Sequence, residues 1–358
     1  MLAKSTFSCV FIVVLSLFVR PSQQDLKKRP VFEGLSDKLN FGHLRTPSYT
    51  STPGGDAKLC HCNGAAPQSV RTITYIEMSN RHSLVLCICP NAVMNATYMI
   101  EMMGRVPYAI RRYNKAMVSA TSGTCGGAGS SKDVSFYCDP NMQVSVFIHE
   151  SAHSTDRDTS GTNQWHNAVQ QDSCVPDPYA NSNIPDDFAQ VVVLWTHLVG
   201  QGLHPTLGGE QFSCMRNQLQ QIKTKLPPFI IQPQRSHLSV GQELRQGEAL
   251  TSPNGNYYLV MQEDGNLVLY VSEKFVHPNA LWKTRTLING PHRFHVQPDG
   301  NLVTYDSRNR STWASNTCCQ NAERSYLAMQ DDGNVVFYNK NHQPIWHTNT
   351  CCHRHSRE

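Results

Sequence analysis

The sequence predicts two domains, an α+β domain followed by an all-β domain with a threefold internal repeat. Three observations support this prediction. The chain has 358 residues, enough for two domains that each bury a core. Strand-like and helix-like stretches are mixed up to Leu226, whereas after Ser236 only short strands follow, separated by Asp-Gly and Asn-Gly turns. In this second part the pattern Gln-x-Asp-x-Asn-x-Val-x-Tyr occurs three times.

Changes in composition and the positions of helix- and strand-breaking residues divide the chain into six segments. We expect a signal peptide (1–24), a polar flexible arm or pro-segment (25–57), the α+β domain (58–226), a proline-marked linker (227–235), the all-β domain (236–352) and a tail (353–358). Within the α+β domain, residues 70–78 and 83–88 have strand character, and residues 93–103 and 187–198 have helix character.

The N-terminus predicts the compartment. Lys4 precedes an apolar stretch over residues 7–19, which is typical of a signal peptide and short for a membrane span; a signal anchor is the alternative. We therefore expect a secreted, extracellular protein with no membrane span after signal cleavage. Asn95 and Asn309 lie in sequons and are candidate glycosylation sites. The net charge of +4, without a basic run, argues against nucleic acid as a partner.

The 13 cysteines agree with an oxidising compartment, because 12 remain once Cys9 leaves with the signal peptide. The pairs Cys60-x-Cys62 and Cys87-x-Cys89 have spacing that could bind a metal, but a secreted chain favours disulfides. The adjacent pairs Cys318-Cys319 and Cys351-Cys352 are strained for internal bonding, so they are candidates to cross-link repeats or subunits, the latter giving a homo-oligomer.

The repeated nine-residue pattern is the most specific feature of the chain. Because a strand sends alternate side chains to one face, we expect its polar residues to line up there. A carboxylate, two amides, a phenol and a small apolar side chain on one face suit a sugar ring with adjacent hydroxyls. The three copies contribute Gln262, Asp264, Asn266, Val268 and Tyr270; Gln297, Asp299, Asn301, Val303 and Tyr305; and Gln330, Asp332, Asn334, Val336 and Tyr338.

Each copy is followed by a Trp-x-x-x-Thr closure, which begins at Trp282, Trp313 and Trp346. Three tryptophans at matching points predict a shared apolar centre. With this closure, residues 236–352 resemble the bulb-type mannose-binding lectins of the snowdrop agglutinin kind. The resemblance implies a β-prism II fold of three four-stranded sheets with one mannose pocket each. In each pocket Gln, Asp, Asn and Tyr would bond mannose hydroxyls and Val would pack on the ring, with avidity for branched mannose-containing glycans or glycoproteins.

A second motif, His149-Glu150-Ser151-Ala152-His153, lies in the α+β part. On a helix both histidines share a face, so they can ligate one Zn²⁺ while Glu150 acts on its water. A third ligand is needed. The candidates are Asp156, His166, Asp172 and an acid at the start of a helix predicted in residues 179–190, where Asn183 would be the cap and Pro185 would lie in the first turn.

This region resembles the zincin metallopeptidases, in particular the gluzincin branch that includes anthrax lethal factor. Tyr179, Asp186, Phe188 and Ala189 stand at the points of a family pattern in which a Tyr precedes an acidic ligand by seven residues. The resemblance implies a zincin-like α+β fold with His149, His153 and Asp186 as zinc ligands, Glu150 as general base and Tyr179 as oxyanion stabiliser. This chain has Asp where the pattern has Glu, so Asp187 is a fallback ligand.

Together these features predict a secreted mannose-binding lectin fused to a zinc metalloendopeptidase, whose peptide substrate the sequence does not identify. The lectin would hold the enzyme on mannose-rich glycans. The alternative is a non-catalytic mannose-binding defence lectin in which the zincin-like domain is only a scaffold. A structural matrix protein is a third class, supported only by the cysteine content.

Overall fold

A computed structural model describes residues 26–34, 39–77, 80–122, 128–131, 133–201, 210–231, 235–272, 275–287, 292–318 and 322–352. The expected signal peptide and the C-terminal tail lie outside these residues. No helix in the part of the chain that the structure describes is long and apolar enough to cross a membrane.

The N-terminal unit is built on a six-stranded mixed sheet. Along the sheet the order is β2 (Ser48–Pro53), β3 (Ser69–Glu77), β4 (Asn80–Ile88), β5 (Ala116–Ser119), β7 (Val134–Tyr137) and β6 (Ala128–Ser131). The pairs β4–β5 and β5–β7 are parallel and the other neighbours are antiparallel. Strand β6 is therefore an edge strand. A separate parallel pair joins β1 (Arg29–Pro30) to β8 (Cys174–Val175).

Helices cover this sheet and share its core. They are α1 (Ala96–Arg105), α2 (Tyr108–Arg111), α3 (Val144–Asp156), α4 (Asn163–Gln171), α5 (Ile184–Gly200), α6 (Arg216–Lys225) and α7 (Pro228–Ile231). The predicted stretches over residues 93–103 and 187–198 correspond to α1 and α5. Helix α5 is apolar nearly all round, so it runs through the interior, with Phe188 and Trp195 fully buried. This burial fixes the start of α5 beside α3.

The predicted flexible arm and linker both contain packed structure. In the arm, β2 pairs with β3 over six residues, and Phe41 and Leu44 belong to the large core. In the linker, α7 places Ile231 in the same core. Scattered apolar residues in polar, proline-rich sequence carry no periodicity, which is why the sequence pattern missed these contacts.

The C-terminal unit consists of three four-stranded antiparallel sheets. They contain β11 (Ala249–Thr251), β12 (Tyr258–Met261), β13 (Leu267–Tyr270) and β14 (Ala280–Lys283); β10 (Glu243–Arg245), β15 (Arg293–Val296), β16 (Leu302–Tyr305) and β17 (Ser311–Ala314); and β9 (His237–Ser239), β18 (Tyr326–Met329), β19 (Val335–Tyr338) and β20 (Pro344–His347). One common core contains Leu267, Leu269, Leu302, Val335 and Phe337. The intervening valine and tyrosine of each motif therefore face outward.

The three closure tryptophans meet, as the repeat pattern predicted. Trp282, Trp313 and Trp346 make three mutual edge-to-face contacts, with ring centroids 5.6, 5.6 and 5.9 Å apart. Edge-to-face packing is a favourable arrangement of aromatic rings. Each sheet supplies one indole, so the contact joins all three sheets.

The Cys-x-Cys pairs form disulfides, so the expectation of disulfides is confirmed and the metal alternative is wrong. Cys60 bonds Cys87 and Cys62 bonds Cys89, which ties the segment before β3 to strand β4. A further disulfide joins Cys174 to Cys214. At the end of the last repeat, Cys351 and Cys352 are exposed free thiols.

Candidate carbohydrate pockets and metal centre

The repeated motif occupies a turn followed by a strand, which corrects the expectation of a single nine-residue strand. In the first copy Gln262 follows β12, and β13 begins only at Leu267. The Gln262 N–H donates to the Asn266 carbonyl at 2.9 Å, and Gly265 has a positive φ of 83°. Glycine adopts this backbone conformation readily. The turn brings the polar residues together with the outward face of β13.

Within each copy the glutamine and tyrosine bond each other. The amide Nε2 donates to the phenol oxygen at 2.7 Å for Gln262–Tyr270, 2.6 Å for Gln297–Tyr305 and 2.8 Å for Gln330–Tyr338. The phenol oxygen is thus an acceptor within the protein, so its own hydrogen remains available to a ligand. Burial raises the pKa of Tyr270, although the bond from Gln262 acts in the opposite direction. Tyr270 therefore keeps its proton at neutral pH.

The motif aspartate and asparagine also use only one of their two side-chain polar atoms in hydrogen bonds within the protein. In the first copy Asp264 Oδ1 accepts from the Asn266 N–H at 3.0 Å. Asn266 Oδ1 accepts from Thr284 Oγ1 at 3.0 Å and from the Arg285 N–H at 2.9 Å. The other two copies have the same aspartate bond and the same hydroxyl bond to the asparagine, but there the backbone donor lies one position later, at Thr317 and Thr350. Each pocket is left with a carboxylate oxygen, an amide Nδ2 and a glutamine Oε1 that have no hydrogen-bond partner among the described residues.

The threonine that ends each closure holds the motif turn. Thr286 Oγ1 donates to the Gly265 carbonyl at 2.6 Å, and Thr317 and Thr350 bond Gly300 and Gly333 at 2.7 Å in the same way. The sequence interpretation gave the closure no such role. Its invariant Thr at a fixed distance after each Trp was the signal that could have identified it.

The three predicted zinc ligands lie together in the N-terminal unit. His149 Nε2 and His153 Nε2 are 3.1 Å apart, and Asp186 Oδ1 lies 3.8 and 3.4 Å from them. Ligands at about 2.0–2.1 Å from a tetrahedral zinc are separated by about 3.3 Å, so this triangle fits the ion. The two histidines lie one turn apart on α3, and Asp186 comes from the first turn of α5.

The start of α5 orients the aspartate. Asn183 caps the helix, as expected: its Oδ1 accepts from the Asp186 N–H at 2.9 Å, and its Nδ2 donates to Asp186 Oδ2 at 2.6 Å. The other carboxylate oxygen then faces the histidines. Burial acts to raise the pKa of Asp186, but hydrogen bonding and charge from His149 and His153 outweigh it and hold that pKa below its usual range.

The alternative third ligands lie elsewhere and have other partners. Asp187, the fallback, is fully buried and accepts from Gln218, and burial raises its pKa to about 8. Asp172 accepts from the backbone N–H groups of Asn217 and Gln218 at the start of α6. Asp156 bonds Ser160 beyond the end of α3, and His166 is exposed on α4. Among the described residues only Asp186 completes the cluster.

The predicted base and oxyanion residues flank this cluster. Glu150 is 6% exposed, and its Oε2 accepts from Ser130 Oγ at 2.6 Å. The Tyr179 ring lies edge-on to His149, with centroids 5.4 Å apart, and Tyr179 is 54% exposed. Partial burial and the Asp186 carboxylate raise the pKa of Tyr179, so its hydroxyl is a donor at neutral pH. Sequence reasoning missed Ser130, which no motif marks.

Both candidate glycosylation sites are exposed. Asn95 caps α1 by accepting from the N–H groups of Thr97 and Tyr98, and Asn309 Oδ1 accepts from Arg293. In both residues the oxygen makes these bonds, so the nitrogen that a glycan would modify is not the atom engaged.

Comparison with known proteins places the chain in a family. The model of conidiation-specific protein Con-13 matches residues 53–235, just over half of the 358 residues, so the chain belongs to this family. Conidiation-specific protein 13 of Neurospora crassa is 26% identical over 150 residues, which cover 39% of this chain and 43% of that protein. The chain thus matches less than half of the length of this curated relative.

Several similar solved structures are mannose-binding lectins. A monomeric lectin from Gastrodia elata is 38% identical and covers 32% of this chain and 98% of its own, with a TM-score of 0.29. The mannose-specific agglutinin from snowdrop (Galanthus nivalis) bulbs, solved with methyl-α-D-mannoside, is 38% identical. The match covers 29% of this chain and 90% of the agglutinin, with a TM-score of 0.26. The mannose-specific bluebell (Scilla campanulata) lectin is 31% identical, and the match covers 30% of this chain and 92% of that lectin, with a TM-score of 0.27.

Proposed function

We propose that this protein binds mannose-containing glycans through the three motif pockets. One observation carries the proposal: in all three copies the internal bonds leave the same set of donors and acceptors facing outward, beside an outward valine. A sugar ring with adjacent hydroxyls can pair with this set, which offsets the cost of removing both surfaces from water. The resemblance of the motif to that of bulb-type lectins favours mannose.

Retention on immobilised mannan, with elution by free mannose, tests this proposal. The combined variant Asp264→Ala, Asp299→Ala and Asp332→Ala removes one acceptor from each pocket and should abolish retention. The matched control is Glu263→Ala with Asp331→Ala, which removes carboxylates next to the motif positions in the first and third turns. Retention of the triple variant equal to that of the unmodified protein would overturn the assignment.

A second function, hydrolysis of peptide bonds, is favoured by the triangle of His149, His153 and Asp186 and by the buried Glu150 beside it. These three residues would hold Zn²⁺, which as a Lewis acid lowers the pKa of a water ligand to about 7. Glu150 would take the proton of the attacking water, and the Tyr179 hydroxyl would donate to the developing oxyanion. The proteolytic substrate is a peptide of unspecified sequence.

Metal content and casein cleavage by the purified protein test this second function. We expect about one zinc per chain, cleavage that stops with a chelator, a loss of zinc in His149→Ala, and a loss of cleavage but not of zinc in Glu150→Gln. Zinc binding without any cleavage would instead support the non-catalytic defence lectin with a scaffold domain. The signal-peptide pattern and the disulfides support secretion of either form.

A further inference from the structure

The first motif pocket differs from the other two in its charge. On the outward face, Val268 pairs across the sheet with Lys283, whereas the corresponding valines pair with Ala314 and His347. Two residues further on, the first repeat has Arg285 where the others have Asn316 and Asn349. The first pocket therefore carries two cations at positions where the second pocket has none and the third has a histidine.

Arg285 occupies a backbone conformation that normally favours other residues. Its φ is 59°, and Asn316 and Asn349 have φ values of 58° and 59° at the same point. Asparagine is among the few non-glycine residues that adopt this left-handed region readily, whereas arginine does so at a conformational cost. The first repeat thus has an arginine where the other two repeats have asparagine, the residue that adopts this backbone conformation more readily. Such an exception points to a use for the side chain.

The two cations face a cavity of about 590 Å³ that they share with the motif residues. Lys283 is half-buried and Arg285 is exposed, and neither makes an ion pair with any residue that the structure describes. Among the described residues that line the cavity, Asp264 is the only carboxylate, against the two cations Lys283 and Arg285. At the second pocket the nearby cation is Arg293, which lies over Tyr305 but faces Glu243 at 3.6 Å. That charge is compensated, unlike those of the first pocket.

A longer connection encloses the first pocket further. Nine residues (271–279) separate β13 from β14, against five in each of the other repeats (306–310 and 339–343). This connection stacks Phe275 on Tyr270, with ring centroids 4.8 Å apart, and places His277 at the cavity. Tyr270 is 5% exposed, while Tyr305 and Tyr338 are half-buried.

We propose that the first pocket binds a hexose that carries an anionic group, a phosphate or a carboxylate, while the second and third pockets bind neutral hexose. This rests on the proposed glycan binding and specifies its ligand. The motif residues contact the ring, and Lys283 and Arg285 contact the anion. Arg285 offers the planar pair of N–H groups that fits phosphate or carboxylate.

Competition for binding to immobilised mannan tests this proposal with mannose, mannose 6-phosphate and mannuronic acid as probes. To isolate the first pocket, the protein carries Asp299→Ala and Asp332→Ala. We expect at least one anionic sugar to compete about five- to tenfold better than mannose at low salt, with the advantage reduced at high salt. The phosphate and carboxylate arms show which anion fits.

The variant Lys283→Ala with Arg285→Asn has the residue types that the second pocket carries at the equivalent positions, Ala314 and Asn316, so we expect it to fold. This variant should lose the preference for anionic sugars and still bind mannose. The control Arg308→Ala with Lys340→Ala removes the same charge from exposed positions elsewhere and should keep the preference. Equal competition by neutral and anionic sugars, or a preference that survives Lys283→Ala with Arg285→Asn, would overturn this inference alone. Absence of any sugar binding would instead overturn the proposed function.

Discussion

Ser130 on edge strand β6 donates a 2.6 Å hydrogen bond from Oγ to Oε2 of Glu150 on helix α3. The same hydroxyl lies 2.8 Å from the Glu150 carbonyl. Glu150 is almost fully buried, so this contact fixes which way its carboxylate points. The six-stranded sheet and the candidate metal centre are joined at this point.

From this contact we expect Ser130→Ala to lower kcat for peptide cleavage about tenfold, with little change in KM or in bound zinc, because Glu150 would lose its orientation. Ser130→Thr retains the hydroxyl and should restore most of the rate. Steady-state kinetics together with metal analysis check this. A rise in KM at unchanged kcat, or no rescue by threonine, would contradict a positioning role.

The bonding of the motif asparagines predicts a change that affects binding without affecting folding. Aspartate at positions 266, 301 and 334 keeps the oxygen that accepts from the closure residues and removes the outward Nδ2 donor. We expect Asn266→Asp, Asn301→Asp and Asn334→Asp together to weaken mannan binding at least about tenfold. The melting temperature should change little. By contrast, Asn→Ala at these positions should lower both the affinity for mannan and the melting temperature, since it also removes the oxygen that accepts from the closure residues.

The tryptophan contact predicts a role in stability. Trp313→Ala removes two of the three edge-to-face contacts and leaves a cavity, so it should lower the free energy of unfolding by on the order of 3 kcal/mol. Trp313→Phe should cost clearly less. Urea unfolding of the C-terminal unit, followed by fluorescence, measures both. Lost glycan binding at unchanged stability would show that the indole contacts ligand instead.

A buried histidine predicts a dependence of stability on acid. His82 is 9% exposed and lies 3.0 Å from the Asn114 carbonyl; burial, with a contribution from Arg111, lowers its pKa to about 4. The unfolded chain binds this proton at about pH 6.5. The contribution of neutral His82 to the free energy of unfolding is therefore fully present above about pH 6.5. It falls by up to about 3 kcal/mol as the pH drops towards 4.

The measurement is the free energy of unfolding at pH 7 and pH 4.5. His82→Gln should show a smaller fall between these pH values than the unmodified protein. His237→Gln, which changes an exposed histidine, should show the same fall as the unmodified protein. An unaltered pH dependence in His82→Gln would contradict the assignment to this residue.

The sequence predicted contacts that depend on fixed spacing. The four-residue interval between His149 and His153 placed both on one helical face, and the regular positions of the three tryptophans predicted their meeting. The recognisable cap at Asn183 marked a helix start whose acids were candidate ligands. The resemblance to the zincin metallopeptidases then selected Asp186 among them. For the histidines and the cap, local backbone geometry determines where the side chains go; for the tryptophans, the internal repeat places equivalent residues at equivalent points of the three sheets.

Other contacts depend on the tertiary fold and could not be predicted in this way. The Asp-Gly turns were visible in the sequence, but the way in which the turn of each motif brings its polar residues beside the outward face of the following strand was not. Ser130 reaches Glu150 only because β6 is the edge strand beside α3. The packing of Phe41 and of α7 likewise involves residues far apart in sequence, which no local pattern encodes.

The contact of the three indoles has a geometric consequence for what a single molecule can link. Since each sheet turns its apolar residues to the common core, the three pockets open in three different directions. If the pockets bind sugars as proposed, we expect two neighbouring sugars on one branch not to reach two pockets at once. One molecule would therefore bridge separate glycan chains, and mixtures with branched mannan should form precipitating networks at intermediate ratios and remain clear when either component is in excess.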